Sequence, residues 1–128
     1  MTDTQKLSAQ ERAITCAAFA LEKKALDVKV LEIKRLSSIA DYLVLASGRS
    51  DKQVQAIADS IKQGLKPFDR PLNMEGLQEG RWVVIDYGDV IVHVFQEEVR
   101  NYYRLDELWG NAQVVEIPAE YLWEGKGA

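Results

Sequence analysis

The sequence predicts a single α/β domain with a mixed β-sheet flanked by helices, and three observations carry that prediction. Two amphipathic helical patterns are interleaved with short β-branched runs, in the order helix, strand, strand, helix, strand, strand, short helix. The runs Trp82–Tyr87 and Val90–Phe95 are separated only by Gly88-Asp89, which demands an antiparallel hairpin. The chain has 128 residues, 47% hydrophobic and 28% charged, enough for one ordinary core without disulfide or metal staples.

The elements follow in order. Ser8 and Glu11 have the spacing of a capping box. Behind them Ile14, Ala17, Ala18, Leu21 and Ala25 recur at helical spacing and predict a helix over about 9–25. Asp27–Lys34 is rich in β-branched residues and reads as a strand, ended by Ser37-Ser38. Asp41–Ser47 is a second, mostly apolar strand, and Gly48-Arg49-Ser50 turns the chain. Ser50 and Gln53 suggest another capping box before a helix over about 51–65, with Val54, Ile57, Ala58, Ile61 and Leu65 as its stripe. Pro67, Pro71 and Gly76 make 66–80 a loop holding a short strand at Leu72–Glu75. Gly88 at the first loop position predicts a type II′ hairpin. Residues 96–109 read as one or two short helices. The domain is expected over 1–109. A C-terminal extension, 110–128, should dock in part through Val114, Val115, Ile117, Tyr121, Leu122 and Trp123 and fray at its end.

The formal net charge is −4, and it is unevenly spread. Residues 1–70 hold 12 Lys/Arg against 9 Asp/Glu, whereas residues 71–128 hold 4 against 11. An acidic field repels phosphates, so the second half is a poor surface for bare nucleic acid and suits a basic partner. The plainer reading is a solvated acidic face that aids solubility. Cys16 is the single cysteine and His93 the single histidine, which excludes an internal disulfide and a Cys/His zinc cluster. No apolar run approaches the ~20 residues of a membrane span. Met1–Lys6 has neither the apolar core of a signal peptide nor the Arg-rich character of a transit peptide. The expectation is a soluble cytoplasmic protein.

The two-residue loop fixes the hairpin register and sorts its side chains. One face carries Val83, Ile85, Tyr87, Val90, Val92 and Val94 and should pack under helices. The other carries Trp82, Val84, Asp86, Ile91, His93 and Phe95, two large aromatics with an acid and an imidazole. A core face avoids the acid and a solvated face avoids Trp beside Phe. This face is therefore either a partner surface or one covered by the C-terminal segment.

Catalytic chemistry is weakly signalled. Asp86 and Asp89 are too far around the turn to share one strand face, and Asp89 is explained as a turn residue. His93 has no recognisable nucleophile partner. Gly48-Arg49-Ser50 before a helix could hold a phosphate, but without a Gly-rich phosphate loop it reads more simply as a turn and a cap. No metal or cofactor is expected. Cys16, among small helical residues, is expected to be inert.

Two blocks of residues resemble a known family. The first is Ser37-Ser38-Ile39-Ala40-Asp41-Tyr42, then Ala46-Ser47-Gly48-Arg49-Ser50 with Gln53-Val54. The second is Trp82-Val-Val-Ile-Asp86-Tyr-Gly-Asp89-Val-Ile-Val-His93-Val-Phe, then Glu97-Glu98-x-Arg100-x-x-Tyr103-x-Leu105-x-x-Leu108-Trp109. Together they resemble the ribosomal silencing factor, or Iojap, family over roughly residues 9–109. Asp106 stands where that family usually shows Glu.

The resemblance implies a nucleotidyltransferase-like topology without a working catalytic centre. It implies a non-enzymatic factor that binds the large ribosomal subunit through the universal ribosomal protein number fourteen. There it would block joining of the small subunit and lower translation when nutrients are short. Trp82 matches the family's exposed aromatic on the partner face. Asp86, His93, Phe95, Glu97, Arg100 and Tyr103 complete the expected partner-binding set, while Tyr103, Leu108 and Trp109 could instead anchor the last helix to the core. A secondary contact with ribosomal RNA would fall to Lys23, Lys24, Lys29, Lys34 and Arg35, and a homodimer of the free protein is compatible with the family. The competing readings are a small nucleotide-binding or nucleotidyltransferase-like enzyme using the Gly48–Ser50 turn with Asp86 and Asp89, and an adaptor that pairs with itself through the hairpin face.

Overall fold

The computed structural model describes residues 6–121. In chain order the elements are α1 (Ala9–Glu22), β1 (Leu26–Glu32), β2 (Tyr42–Gly48), α2 (Asp51–Leu65), β3 (Asn73–Glu75), β4 (Trp82–Asp86), β5 (Val90–Gln96), α3 (Glu97–Tyr102), α4 (Leu105–Leu108) and β6 (Gln113–Val115). The strands form one six-stranded sheet in the order β3-β4-β5-β2-β1-β6. The β2–β5 pair is parallel, and the other pairs are antiparallel, so the sheet is mixed as expected. Strand β2 lies inside the sheet and is buried at every residue, the pattern of a strand covered on both faces.

Both long helices start where the sequence places them. The Ser8 hydroxyl accepts from the Glu11 N–H at 3.1 Å, and the Ser8 N–H donates to the Glu11 carboxylate at 2.9 Å, completing the capping box. Helix α1 ends at Glu22, short of the expected Ala25. Lys24 turns into the left-handed region at φ +62°, and the Ala25 N–H bonds the Ala20 carbonyl at 3.2 Å. That is a Schellman closure, in which Ala25 folds back onto the helix it no longer belongs to. Its burial mimics one more helical turn in the periodicity. Ser50 caps α2, but the second box is only half formed. Gln53 accepts from the Arg49 N–H at 2.7 Å, and its amide donates to the Lys23 and Lys24 carbonyls at 3.3 and 3.1 Å. The start of α2 is thus tied to the end of α1.

The sheet separates two apolar layers. On one side α1 and α2 cover Val83, Ile85, Val90, Val92 and Val94, each fully buried. On the other, Leu31, Ile33, Leu43, Leu45 and Phe95 are covered by Val99, with Trp82, Ile91, Leu105, Trp109 and Ala112 packed at the margin. Helices α3 and α4 therefore roof only part of the second face. The hairpin register is the predicted one, with Trp82 opposite Phe95, Val84 opposite His93 and Asp86 opposite Ile91. Gly88 has φ +93° and Asp89 is not left-handed, the φ signs of a type II′ turn.

Beyond residue 109 the chain is still part of the fold. β6 pairs with β1 through Val30 opposite Val115 and Glu32 opposite Gln113, and Ile117 is buried in the main core. The docking expected of Leu122 and Trp123 lies outside the described residues.

Candidate partner-binding face

The Trp82 side of the hairpin is where the two aromatics, the imidazole and the short helices meet. Trp82 is half-buried. Its indole N–H donates to His93 Nδ1 at 3.0 Å. Nδ1 is therefore the acceptor, and the neutral ring carries its proton on Nε2. Burial pushes the His93 pKa down to about 4, so this tautomer persists at neutral pH. The Trp82 ring lies 5.7 Å from Tyr103 and 5.9 Å from Phe95, centroid to centroid, within aromatic pairing range. Tyr102 and Tyr103 meet edge to face at 4.9 Å. Tyr103 is 54% exposed, Tyr102 78% and Leu108 68%. Glu97 and Glu98 are exposed on the first turn of α3. A shallow cleft of about 280 Å³ lies between Arg81, Glu98, Val99, Tyr102 and Tyr103.

Of the expected set, Trp82, His93, Glu97 and Tyr103 lie toward one end of the sheet, where β5 runs into α3. Asp86 does not join them. It sits four residues along β4 from Trp82, roughly 13 Å at a strand's ~3.3 Å per residue, and its carboxylate accepts from the Gly88 N–H at 2.8 Å, bracing the turn. Phe95 and Arg100 correct the expectation more sharply, because both are inside the protein. Phe95 has no exposed surface, and alternation had placed it on a face without revealing that α3 covers that end. Arg100 is 4% exposed and looks inward. Its guanidinium donates to Asp106 at 2.7 and 3.3 Å, to the Ser47 hydroxyl at 2.8 Å and to the Asp27 carbonyl at 2.8 Å. Asp27 offers that carbonyl because β1 bulges there, with φ +48°. Arg100, with help from Lys29 at 3.0 Å, holds the Asp106 carboxyl below the usual carboxylate range. The pair joins α3 and α4 to β1 and β2. Leu108 does not anchor the last helix, whereas Trp109 does pack against the second core.

Tyr102 and the exposure of Leu108 were missed. The signal available was Tyr102-Tyr103 itself, since neighbours about 100° apart on a helix cannot both face a core.

The constellation required by the enzyme reading does not assemble. Along the parallel pair, Tyr42 lies opposite Val90 and Gly48 opposite Gln96. Gly48–Ser50 therefore sits at one end of the strands and Asp89 at the other, roughly 20 Å away at ~3.3 Å per residue. Asp89 is bound to Arg12 at 2.7 Å, a bond that lowers its pKa. Among the described residues no group of three or more His, Cys, Asp or Glu is placed to hold a metal ion. Cys16 is buried, which pushes its thiol up to about 12 and leaves it protonated and inert. The expected basic group is also dispersed. Lys29 is paired with Asp106 and Lys34 with Glu32, while Lys23 and Lys24 lie at the opposite end of β1 from Lys34 and Arg35.

Comparison with known proteins agrees with the fold and with the motif blocks. A family model described as "Ribosomal silencing factor during starvation" matches residues 6–126, so the match continues into the C-terminal segment. Ribosomal silencing factor RsfS of Bacillus subtilis is 45% identical over 102 residues, covering 79% of this chain and 86% of that protein. The chloroplastic protein Iojap of Zea mays is 33% identical over 107 residues, 83% of this chain and 46% of that protein. A crystal structure of a Chromobacterium violaceum protein superposes with a TM-score of 0.79 at 33% identity, covering 87% of this chain and 92% of that one. A Bacillus halodurans crystal structure superposes with a TM-score of 0.73 at 39% identity, over 84% of this chain and 98% of that one. Fold, motif blocks and matched length agree: the chain belongs to the ribosomal silencing factor family.

Proposed function

We propose that this protein represses translation by binding the large ribosomal subunit through the universal ribosomal protein number fourteen and excluding the small subunit. It acts in the cytoplasm, by steric occlusion and without catalysis of its own. The observation that supports this best is the group of exposed aromatics at the end of the second sheet face. Trp82 is pinned by His93, Tyr103 packs against it at a tilt, Tyr102 meets Tyr103 edge to face, and Glu97 and Glu98 are exposed on the adjoining turn of α3. Rigid aromatics rimmed by charge are the usual anchors of a protein interface, and ribosomal proteins are commonly basic. Free in solution, two copies could cover this face mutually, and such a homodimer would dissociate before acting.

Co-sedimentation with isolated large subunits tests the reading. Wild-type protein should travel with the subunit and be displaced in competition with the small subunit. Tyr103→Ala should weaken binding by about 2 kcal/mol, a hot-spot loss, with little change in folding because that ring is mostly exposed. Protein that stays at the top of the gradient at moderate salt would end the proposal.

A further inference from the structure

The far end of the helical layer carries a feature that the partner face does not use. Lys62 and Lys66 lie one turn apart at the end of α2, and Arg70 follows the turn at Pro67. With Gln63, Asp69 and Pro71 they line a cleft of about 480 Å³. Asp69 is the one acid in that lining, and it is turned to Arg12 at 2.9 Å. No acid among the described residues lies within ion-pair distance of Lys62, Lys66 or Arg70. An adjoining cleft of about 620 Å³ shares Asp69 and adds Lys6, Phe68, Asp89 and Arg12, whose charge is met by Asp69 and Asp89. In a chain of net charge −4, three unneutralised cations converge on one concavity.

Favourable interaction with the helix C-terminus accounts for Lys62 and Lys66 in part. It does not account for Arg70, which lies beyond the helix. The Leu65 carbonyl at that end already accepts from the Phe68 and Asp69 N–H groups, each at 2.8 Å. Two point-charge ammoniums and one forked guanidinium are the donor set that suits linked phosphates. We infer that the Lys62–Lys66–Arg70 cleft binds linked phosphate groups, carried either by a nucleoside polyphosphate or by a single RNA strand. The cleft lies on the opposite face and at the opposite end of the sheet from Trp82, so both surfaces can be occupied together.

The test uses the full chain, free of ribosomes, so its outcome is separate from that of subunit binding. Fluorescence anisotropy with labelled ATP and with a labelled single-stranded RNA of about ten nucleotides is measured at about 50 and about 200 mM salt. Binding of at least one ligand is expected. If the ligand is RNA, the slope in log salt should be roughly −2, from about 0.7 per phosphate neutralised by three cations. Tighter ATP binding identifies a nucleotide site and tighter RNA binding a strand site. The triple variant Lys62→Gln, Lys66→Gln, Arg70→Gln should lose about tenfold or more in affinity with an unchanged melting temperature. The control double Lys52→Gln, Arg104→Gln, which removes exposed positive charge away from this cleft, should stay within about twofold. The inference is overturned if neither ligand binds at low salt, or if the control loses as much affinity as the triple.

Discussion

Replacing Arg100 by Met tests the inward reading of this side chain against the surface role its motif suggested. The substitution keeps most of the volume and removes four hydrogen bonds, two to Asp106 and one each to Ser47 and the Asp27 carbonyl. Breaking a buried ion pair by deleting one partner costs about 3–5 kcal/mol. The low end applies, because Asp106 is 40% exposed and keeps Lys29 at 3.0 Å. A loss of about 3 kcal/mol lowers the midpoint of a domain this size by roughly 12 °C, at about 4 °C per kcal/mol. Thermal and urea unfolding followed by circular dichroism would measure it. The variant that remains folded should still bind large subunits within about threefold, since Arg100 has almost no surface with which to touch a partner. The reasoning is refuted by a stability loss below about 1 kcal/mol, or by lost subunit binding in a variant of normal stability.

His93 provides a pH test. The folded imidazole titrates at about 4 against an ordinary 6.5, so between those values the unfolded chain takes up the proton first. Stability is fully present above pH 6.5 and should fall by roughly 3 kcal/mol on the way to pH 4. His93→Gln, whose amide oxygen can still accept from Trp82, should flatten that slope in urea unfolding at several pH values, and parallel curves would contradict the assignment. Two glycines separate clash from strain. Gly76 (φ +87°) has the Trp82 carbonyl where a Cβ would go, whereas at Gly88 (φ +93°) the nearest atom is a Leu72 methyl at 3.5 Å. Gly76→Ala should cost roughly 3 kcal/mol and Gly88→Ala about 1, and equal losses in chemical denaturation would show that the close approach is unimportant.

What could be read from the sequence was whatever local rules determine. The Gly88-Asp89 loop fixed a register, and with it the sheet face on which each residue from Trp82 to Phe95 lies. The stripes ending at Ala25 and Leu65 located both helices, the first one turn too long because Ala25 folds back onto α1. Alternation does not reveal whether a face is roofed, so it offers Phe95 to the surface although Phe95 is fully buried with Val99 in the second core. Arg100 looked like surface charge because its partners, Ser47 and the bulged Asp27, lie 53 and 73 residues away in sequence. The separation of Gly48–Ser50 from Asp89 depends on β2 and β5 being parallel, which no local pattern encodes. The cluster at Lys62, Lys66 and Arg70 is not legible in the sequence, because it exists only once a helix and the turn after it are folded together.

The sheet is also notable for how it stops. Its outermost strands, β3 and β6, are three residues each, while the strands they cover are longer. A three-residue edge offers few unpaired N–H and carbonyl groups, too few to template an added strand. Without β6, the seven residues of β1 would form an open edge beside the apolar core. The short C-terminal strand therefore leaves recognition to side chains, and steers the protein away from backbone pairing with itself or with a nascent chain.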